Sequence, residues 1–396
     1  MDIRPRWVAL LSTCLLGVAV GPARAADAPA PAPAPAAAPV AAKAPRDVSD
    51  VLRGPRERHG VPGMAAAVVR GATLTASGAD GLRRVGADAK VTVADRWHLG
   101  SCTKAMTATL CGVLAEAGAL PFDATIGQVF PDEVAGMAKG WADVRLEWLL
   151  RNRSGAPAAL DEDGLWGRLW THAGTPVEMR RDLLRGVVRR PPVHAPGTTF
   201  LYSNAGFAIA GAMAETKAGK PWEDLLRDRL FTPLGITTAG YGAPGRAGAT
   251  EQPWGHRPDG TAVGPGPGSD NPAAIGPAGT VHMSIADWAK FAALHLEAAR
   301  GKPRLLRKET FARLHEPPSD GDYAMGWARP VRDWAGGRVL THGGSNTMWF
   351  CVVWIAPERD LAVLVCANRG GDAAVKAVDE VAWALIEAEV AASRGR

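Results

Sequence analysis

Apolar positions along the chain fall into a few distinct patterns. Trp7 to Val20 is an apolar run of 14 residues, preceded by Arg4 and Arg6 and followed by Ala23-Arg24-Ala25. A basic start, a short apolar stretch and a small-x-small step before Ala26 predict an export signal over residues 1–25. A spanning helix needs about 20 apolar residues, so no membrane span is expected once the signal is removed. Residues 26–47 are nearly all Ala and Pro, which predicts an extended, semi-rigid linker. One folded body is expected over residues 48–396.

Within that body, residues 63–70 and 73–86 have the pattern of strands with Gly-rich turns. Residues 101–119 carry apolar positions at three- and four-residue spacing, with Gly118 near the end, and predict a helix. The stretch 120–235 predicts helices broken by Pro and Gly. Residues 242–279 form a long Gly/Pro loop, a length commonly associated with a functional rim or lid. Ser284-x-x-Asp287 has the spacing of a capping box, with Asp for Glu, opening a helix to about residue 298. Three strands between 323 and 367 and a helix over 373–392 complete the pattern. Strands at both ends around a helical middle imply an α/β fold: an antiparallel sheet built from both chain ends, flanked by helices, plus a helical lobe.

Composition and charge narrow the chemistry. The 396 residues are 47% hydrophobic and 21% charged, an ordinary globular balance. The net charge of +5 falls to +3 without residues 1–25, and no Lys/Arg-rich block occurs. Nucleic acid is therefore not an expected partner. Oligomeric state leaves no mark on the sequence. Four cysteines remain after residue 25: Cys102, Cys111, Cys351 and Cys366. Nine helical steps put Cys102 and Cys111 on opposite faces, roughly 13 Å apart along the axis, too far to bond. Cys351 and Cys366 are equidistant from the centre of the turn Pro357–Asp360, so a regular hairpin sets them opposite each other. Buried free thiols and a disulfide both fit that placement.

The chain lacks H-E-x-x-H, G-x-S-x-G, G-x-x-x-x-G-K-[ST] and a dinucleotide fingerprint. No metal site and no organic cofactor are expected. Three other patterns carry chemistry. In Gly100-Ser101-Cys102-Thr103-Lys104 the i, i+3 spacing puts hydroxyl and amine on one helix face. A serine needs a neighbouring base to become a nucleophile, and a desolvated Lys can be that base. In Tyr202-Ser203-Asn204 a phenol beside the Lys can share its proton, and the Asn can orient the Lys or bind a substrate amide. In His342-Gly343-Gly344-Ser345, following a strand expected over 338–341, two Gly let a substrate approach the backbone. A backbone N–H there can complete an oxyanion hole with that of Ser101. Taken singly, each pattern also fits a helix cap, a satisfied Tyr or a turn residue.

In combination and in this order, the three patterns resemble the serine β-lactamase/penicillin-binding-protein superfamily, most closely its class C β-lactamase-related branch of D,D-carboxypeptidases, D-aminopeptidases and esterases. Trp97-His98-Leu99-Gly100, Ser154-Gly155, Phe231-Thr232-Pro233-Leu234-Gly235 and Pro277-Ala278-Gly279-Thr280 agree with it, over about residues 47–390. The resemblance implies that Ser101 is the acylated nucleophile and that Lys104 and Tyr202 share the acid and base work. It implies that Asn204 binds substrate, that His342-Gly343-Gly344 stands for a K-T-G strand, and that Ser345 gives the second oxyanion N–H. The expected activity is hydrolysis of short esters or D-amino-acid peptides and amides by an exported enzyme. A class C-type β-lactamase and a catalytically silent binding protein on the same scaffold are the alternatives. Two departures stand out: His342 replaces a Lys, and Arg151-Asn152-Arg153 replaces a His-containing run before Ser-Gly. An imidazole with an ordinary pKa near 6.5 predicts that carboxylate substrates gain affinity as pH falls.

Overall fold

The computed structural model describes residues 44–266 and 268–394. The expected signal and most of the expected linker lie outside them. The main sheet has six strands: β1 (Arg46–Asp47), β2 (Gly63–Arg70), β3 (Thr73–Gly81), and, from the far end of the chain, β7 (Leu340–Ser345), β8 (Phe350–Ala356) and β9 (Leu361–Ala367). Their spatial order is β1-β3-β2-β9-β8-β7. All neighbours are antiparallel except β1 and β3. Both chain ends thus meet at the β2–β9 pair, as the sequence pattern implies. Arg46 and Asp47, expected in the linker, are instead paired with Ala76 and Ser77.

The central strands are apolar on both faces because both are covered. Alternate residues point to opposite sides of a pleated strand. Met64, Ala66 and Val68 enter one core with α1 (Ser49–Arg58) and the C-terminal α6 (Asp372–Arg394). Ala65, Ala67 and Val69 enter the other, with α2 (Thr103–Glu116), α4 (Asn204–Ala218) and α5 (Ile285–Ala299). Such strands give a continuous apolar run rather than an alternation.

A smaller sheet sets the entrance to α2. Its middle strand, β6 (Val281–Ser284), pairs with β4 (Arg96–His98) and with β5 (Gly240–Tyr241). Two boundaries and one cap differ from expectation. The strand expected over 73–86 ends at Gly81. The helix expected from 101 begins as a tight 3-10 turn, Gly100–Cys102, before α2 proper. Ser284 caps α5 by accepting from the Asp287 N–H at 3.2 Å, but the box is not reciprocal. The Asp287 carboxylate instead accepts from Thr237 and Thr238 N–H, at 2.8 and 2.7 Å, tying the preceding loop to the helix.

No helix among the described residues is long and apolar enough to cross a membrane. Among the same residues no group of His, Cys, Asp and Glu is arranged to hold a metal ion.

Candidate active site

Ser101 lies in the turn between β4 and α2, and the backbone there is shaped by two glycines. Gly100 has φ +46°, in the left-handed region that favours glycine. A Cβ on Gly100 would overlap the Ser345 amide nitrogen, and one on Gly344 would overlap the Leu99 carbonyl. The two glycines therefore let β7 lie directly against the serine turn. The strand expected to stop at 341 runs on through Ser345, so the His-Gly-Gly-Ser run is within the strand. Glycine weakens a strand in isolation, but here six register pairs with β8 hold it.

Lys104, one turn into the helix, is fully buried. Its Nζ is 3.1 Å from Ser101 Oγ, 2.7 Å from Asn204 Oδ1 and 2.8 Å from the Ala278 carbonyl. Burial lowers its pKa to about 7. The two carbonyl oxygens can only accept. A neutral amine has two hydrogens and one lone pair, so once both hydrogens are given to them the lone pair is left for the Ser101 hydroxyl. Ala278 reaches this position through the helical turn Gly276–Gly279, which is anchored by the Thr107 hydroxyl on the Pro277 carbonyl at 2.7 Å.

Tyr202 and Asn204 flank Ser203, whose hydroxyl caps α4 by accepting from Gly206 N–H. Asn152 brackets this segment. Its Oδ1 accepts from Ser203 N–H at 3.1 Å and its carbonyl from Leu201 N–H at 2.8 Å. It does so with φ +55°, a conformation Asn tolerates better than most residues. That gives the Arg151-Asn152-Arg153 departure a role: Asn152 fixes the tyrosine loop. Arg153 ties the same region to Thr198 and Asp320. The Lys104 Nζ sits 4.7 Å from the Tyr202 ring centroid, over its face. Its three hydrogen bonds do not include the phenol, so the expected direct Lys–Tyr proton sharing is replaced by a meeting at Ser101. Burial pushes the Tyr202 phenol up to about 12, partly offset by its hydrogen bond with Ser101.

His342 departs from expectation in its charge. It is buried, its Nδ1 is 2.6 Å from the Gly343 carbonyl, and its Nε2 is 3.1 Å from the Tyr323 hydroxyl. A carbonyl only accepts, so Nδ1 carries the proton and Nε2 accepts from Tyr323. Burial, with the Lys104 charge adding to it, lowers the His342 pKa to about 4. The ring stays neutral near neutrality with both nitrogens engaged, and the expected gain for carboxylate substrates above pH 5 does not follow.

The structure thus brings Ser101, Lys104, Tyr202, Asn204, His342, Gly343, Gly344 and Ser345 to one place. Sequence reasoning missed Tyr323, which also packs against Tyr202 at 6.2 Å between ring centroids. The chain has only three tyrosines, and no local pattern in the sequence marks Tyr323. It also missed Asp270 and Asn346, joined by a 3.0 Å hydrogen bond, and the partnership of Asp270 with His98 at 2.7 Å. Cys351 and Cys366 face each other in register as expected, and all four cysteines among the described residues are free and buried. A further neighbour went unforeseen: Cys102 Sγ lies 3.6 Å from Cys351 Sγ.

Residues 48–388 match the protein family described as Beta-lactamase. The chain belongs to this family. Penicillin-binding protein 4 of Amycolatopsis lactamdurans is 30% identical over 327 residues, which are 80% of this chain and 83% of that protein. A D-aminopeptidase of Cereibacter sphaeroides is 26% identical over 338 residues, 82% of this chain but 60% of that protein. Among solved structures, the crystal structure of SurE aligns with a TM-score of 0.68 at 24% identity, covering 86% of this chain and 74% of that one. The fold is accordingly the β-lactamase-like α/β fold, and the relatives of this family include hydrolases.

Proposed function

We propose that this protein is a serine hydrolase that transfers an acyl group to water through an ester on Ser101. One observation carries the reading: the Nζ of buried Lys104, its pKa lowered to about 7 by burial, lies 3.1 Å from Ser101 Oγ. Lys104 takes the hydroxyl proton as Ser101 Oγ bonds the acyl carbon. The amides of Ser101 and Ser345 receive the oxyanion. When the bond to the leaving oxygen or nitrogen breaks, the Lys104 ammonium gives that atom the proton it took from Ser101, with the Tyr202 phenol hydrogen-bonded at Ser101 beside it. Water then attacks, gives its proton to Lys104, and Ser101 leaves protonated. No metal or cofactor enters any step.

The substrates of this reading are short esters or D-amino-acid peptides and amides. Neutral His342 lacks the ionic attraction for a carboxylate, and charge-assisted hydrogen bonds are about twice as strong as neutral ones. Penicillins and cephalosporins are therefore slow substrates here. Export on residues 1–25 belongs to the same reading, and the N-terminal sequence of the protein recovered from its host tests it. The deciding experiment is intact-mass analysis after treatment with a fluorophosphonate and, separately, a penicillin. The reading expects a single adduct on the native protein and none on Ser101→Ala. An unlabelled native protein favours the silent binding scaffold; labelled Ser101→Ala removes the nucleophile assignment.

A further inference from the structure

His98 ends β4, three residues before Ser101, and is fully buried. Its Nδ1 accepts from the Gly100 N–H at 3.1 Å. The ring proton is therefore on Nε2, which donates to Asp270 Oδ2 at 2.7 Å. The other carboxylate oxygen of Asp270 accepts from Asn346 Nδ2 at 3.0 Å and from the Asn271 N–H at 2.8 Å. Asn346 directly follows Ser345, and its Oδ1 accepts from the Met348 N–H at 3.1 Å. One nearly buried carboxylate thus grips two separate backbone segments. One segment carries the Ser101 amide and the other the Ser345 amide.

We propose that Asp270 is a positioning residue that, through His98 and Asn346, holds the amides of Ser101 and Ser345 at the spacing one oxyanion requires. This rests on the acyl-transfer reading above. The role needs a carboxylate. Both of its oxygens accept, and donors face it on both sides. An asparagine offers one oxygen and one NH2, so one of the two sides meets donor against donor. If His98 changed tautomer to relieve this, its Nδ1–H would oppose the Gly100 N–H. Asp270 lies within the 242–279 stretch, so this proposal makes that stretch part of the catalytic frame.

The test compares full-length native protein, Asp270→Asn and Asn346→Ala on a short neutral ester such as p-nitrophenyl acetate. Removal of one oxyanion donor costs about 10²–10³-fold in kcat, and displacement of both amides is expected to fall in the lower part of that range. Asp270→Asn should lower kcat about 10²-fold with KM changed by less than about twofold, because the loss appears in the transition state. Asn346→Ala should show a smaller kcat loss of the same kind. Combining the two should cost little beyond Asp270→Asn alone. A kcat near that of the native protein in folded Asp270→Asn overturns the proposal. If Asp270→Asn does not fold, an undiminished kcat in Asn346→Ala overturns it. A readout independent of activity is the 15N-resolved imidazole spectrum, with His98→Gln to assign the signal. The protonated nitrogen of His98 should be Nε2; finding it on Nδ1 overturns the proposal even where Ser101→Ala has already overturned the acyl-transfer reading.

Discussion

A single side chain sets the pH range of this site. Lys104 must be neutral to take a proton, and burial has brought its pKa to about 7. Its base form therefore accumulates as pH rises. The kcat/KM for a neutral ester should increase with unit slope below about pH 7 and level off above it. A profile rising instead near 10.4, the ordinary lysine value, would mean that burial does not lower the Lys104 pKa. His342 makes the opposite kind of statement. With its pKa lowered to about 4, it is neutral across pH 5.5–8.5. A matched ester pair, with and without a carboxylate, should give parallel kcat/KM profiles over that range. Divergence of the pair as pH falls towards 5.5 would show a chargeable imidazole in the substrate path. The contrast between the two groups comes from their surroundings. Nothing in the sequence at position 342 shows that Tyr323 and the Gly343 carbonyl occupy both ring nitrogens.

Elements show how the site is held and how much of that could be read beforehand. The packing of β7 on the Gly100–Cys102 turn depends on the absence of a side chain at 344. Gly344→Ala would set a methyl into the Leu99 carbonyl, so the strand must move away from the turn. A displacement of about 1 Å at a reacting centre can cost about 10²-fold. The variant should be phosphonylated by a fluorophosphonate, with loss of fluoride, at least 10-fold more slowly while its far-ultraviolet dichroism is unchanged; labelling at the native rate would refute the close-packing argument. The α2 helix, the β2–β3 strands, the terminal helix and the three motifs were legible because each rests on local periodicity or spacing. The entrance turn at 100–102 was not, since its geometry depends on β7 arriving from 240 residues away. The Cys102–Cys351 contact and the Asp270–His98 pair were hidden for the same reason. Each joins elements that no local pattern connects, and the Gly/Pro loop holding Asp270 has no period from which a register could be inferred.

Across the molecule, the helical lobe is fastened to the catalytic layer through Arg180 on α3 (Pro176–Val188). This buried guanidinium bonds Glu215, Glu223 and the Ala273 carbonyl, and Ala273 lies five residues before Ala278. Removing one partner of a buried ion pair costs about 3–5 kcal/mol. Arg180→Leu should lower stability to denaturant by about that amount, read from the urea midpoint. A loss below about 1 kcal/mol would mean that the cluster contributes little. The β2–β9 pairing has a consequence in time. Ala65 faces Cys366 across this pair, so the sheet cannot close until residues 361–367 have left the ribosome. Until then β2 has two apolar faces and a free edge. Contacts so distant in sequence slow folding, and exposed strand edges invite aggregation. A nascent chain stalled before Leu361 therefore cannot complete its central sheet, although every residue of the serine, tyrosine and histidine motifs has already been made.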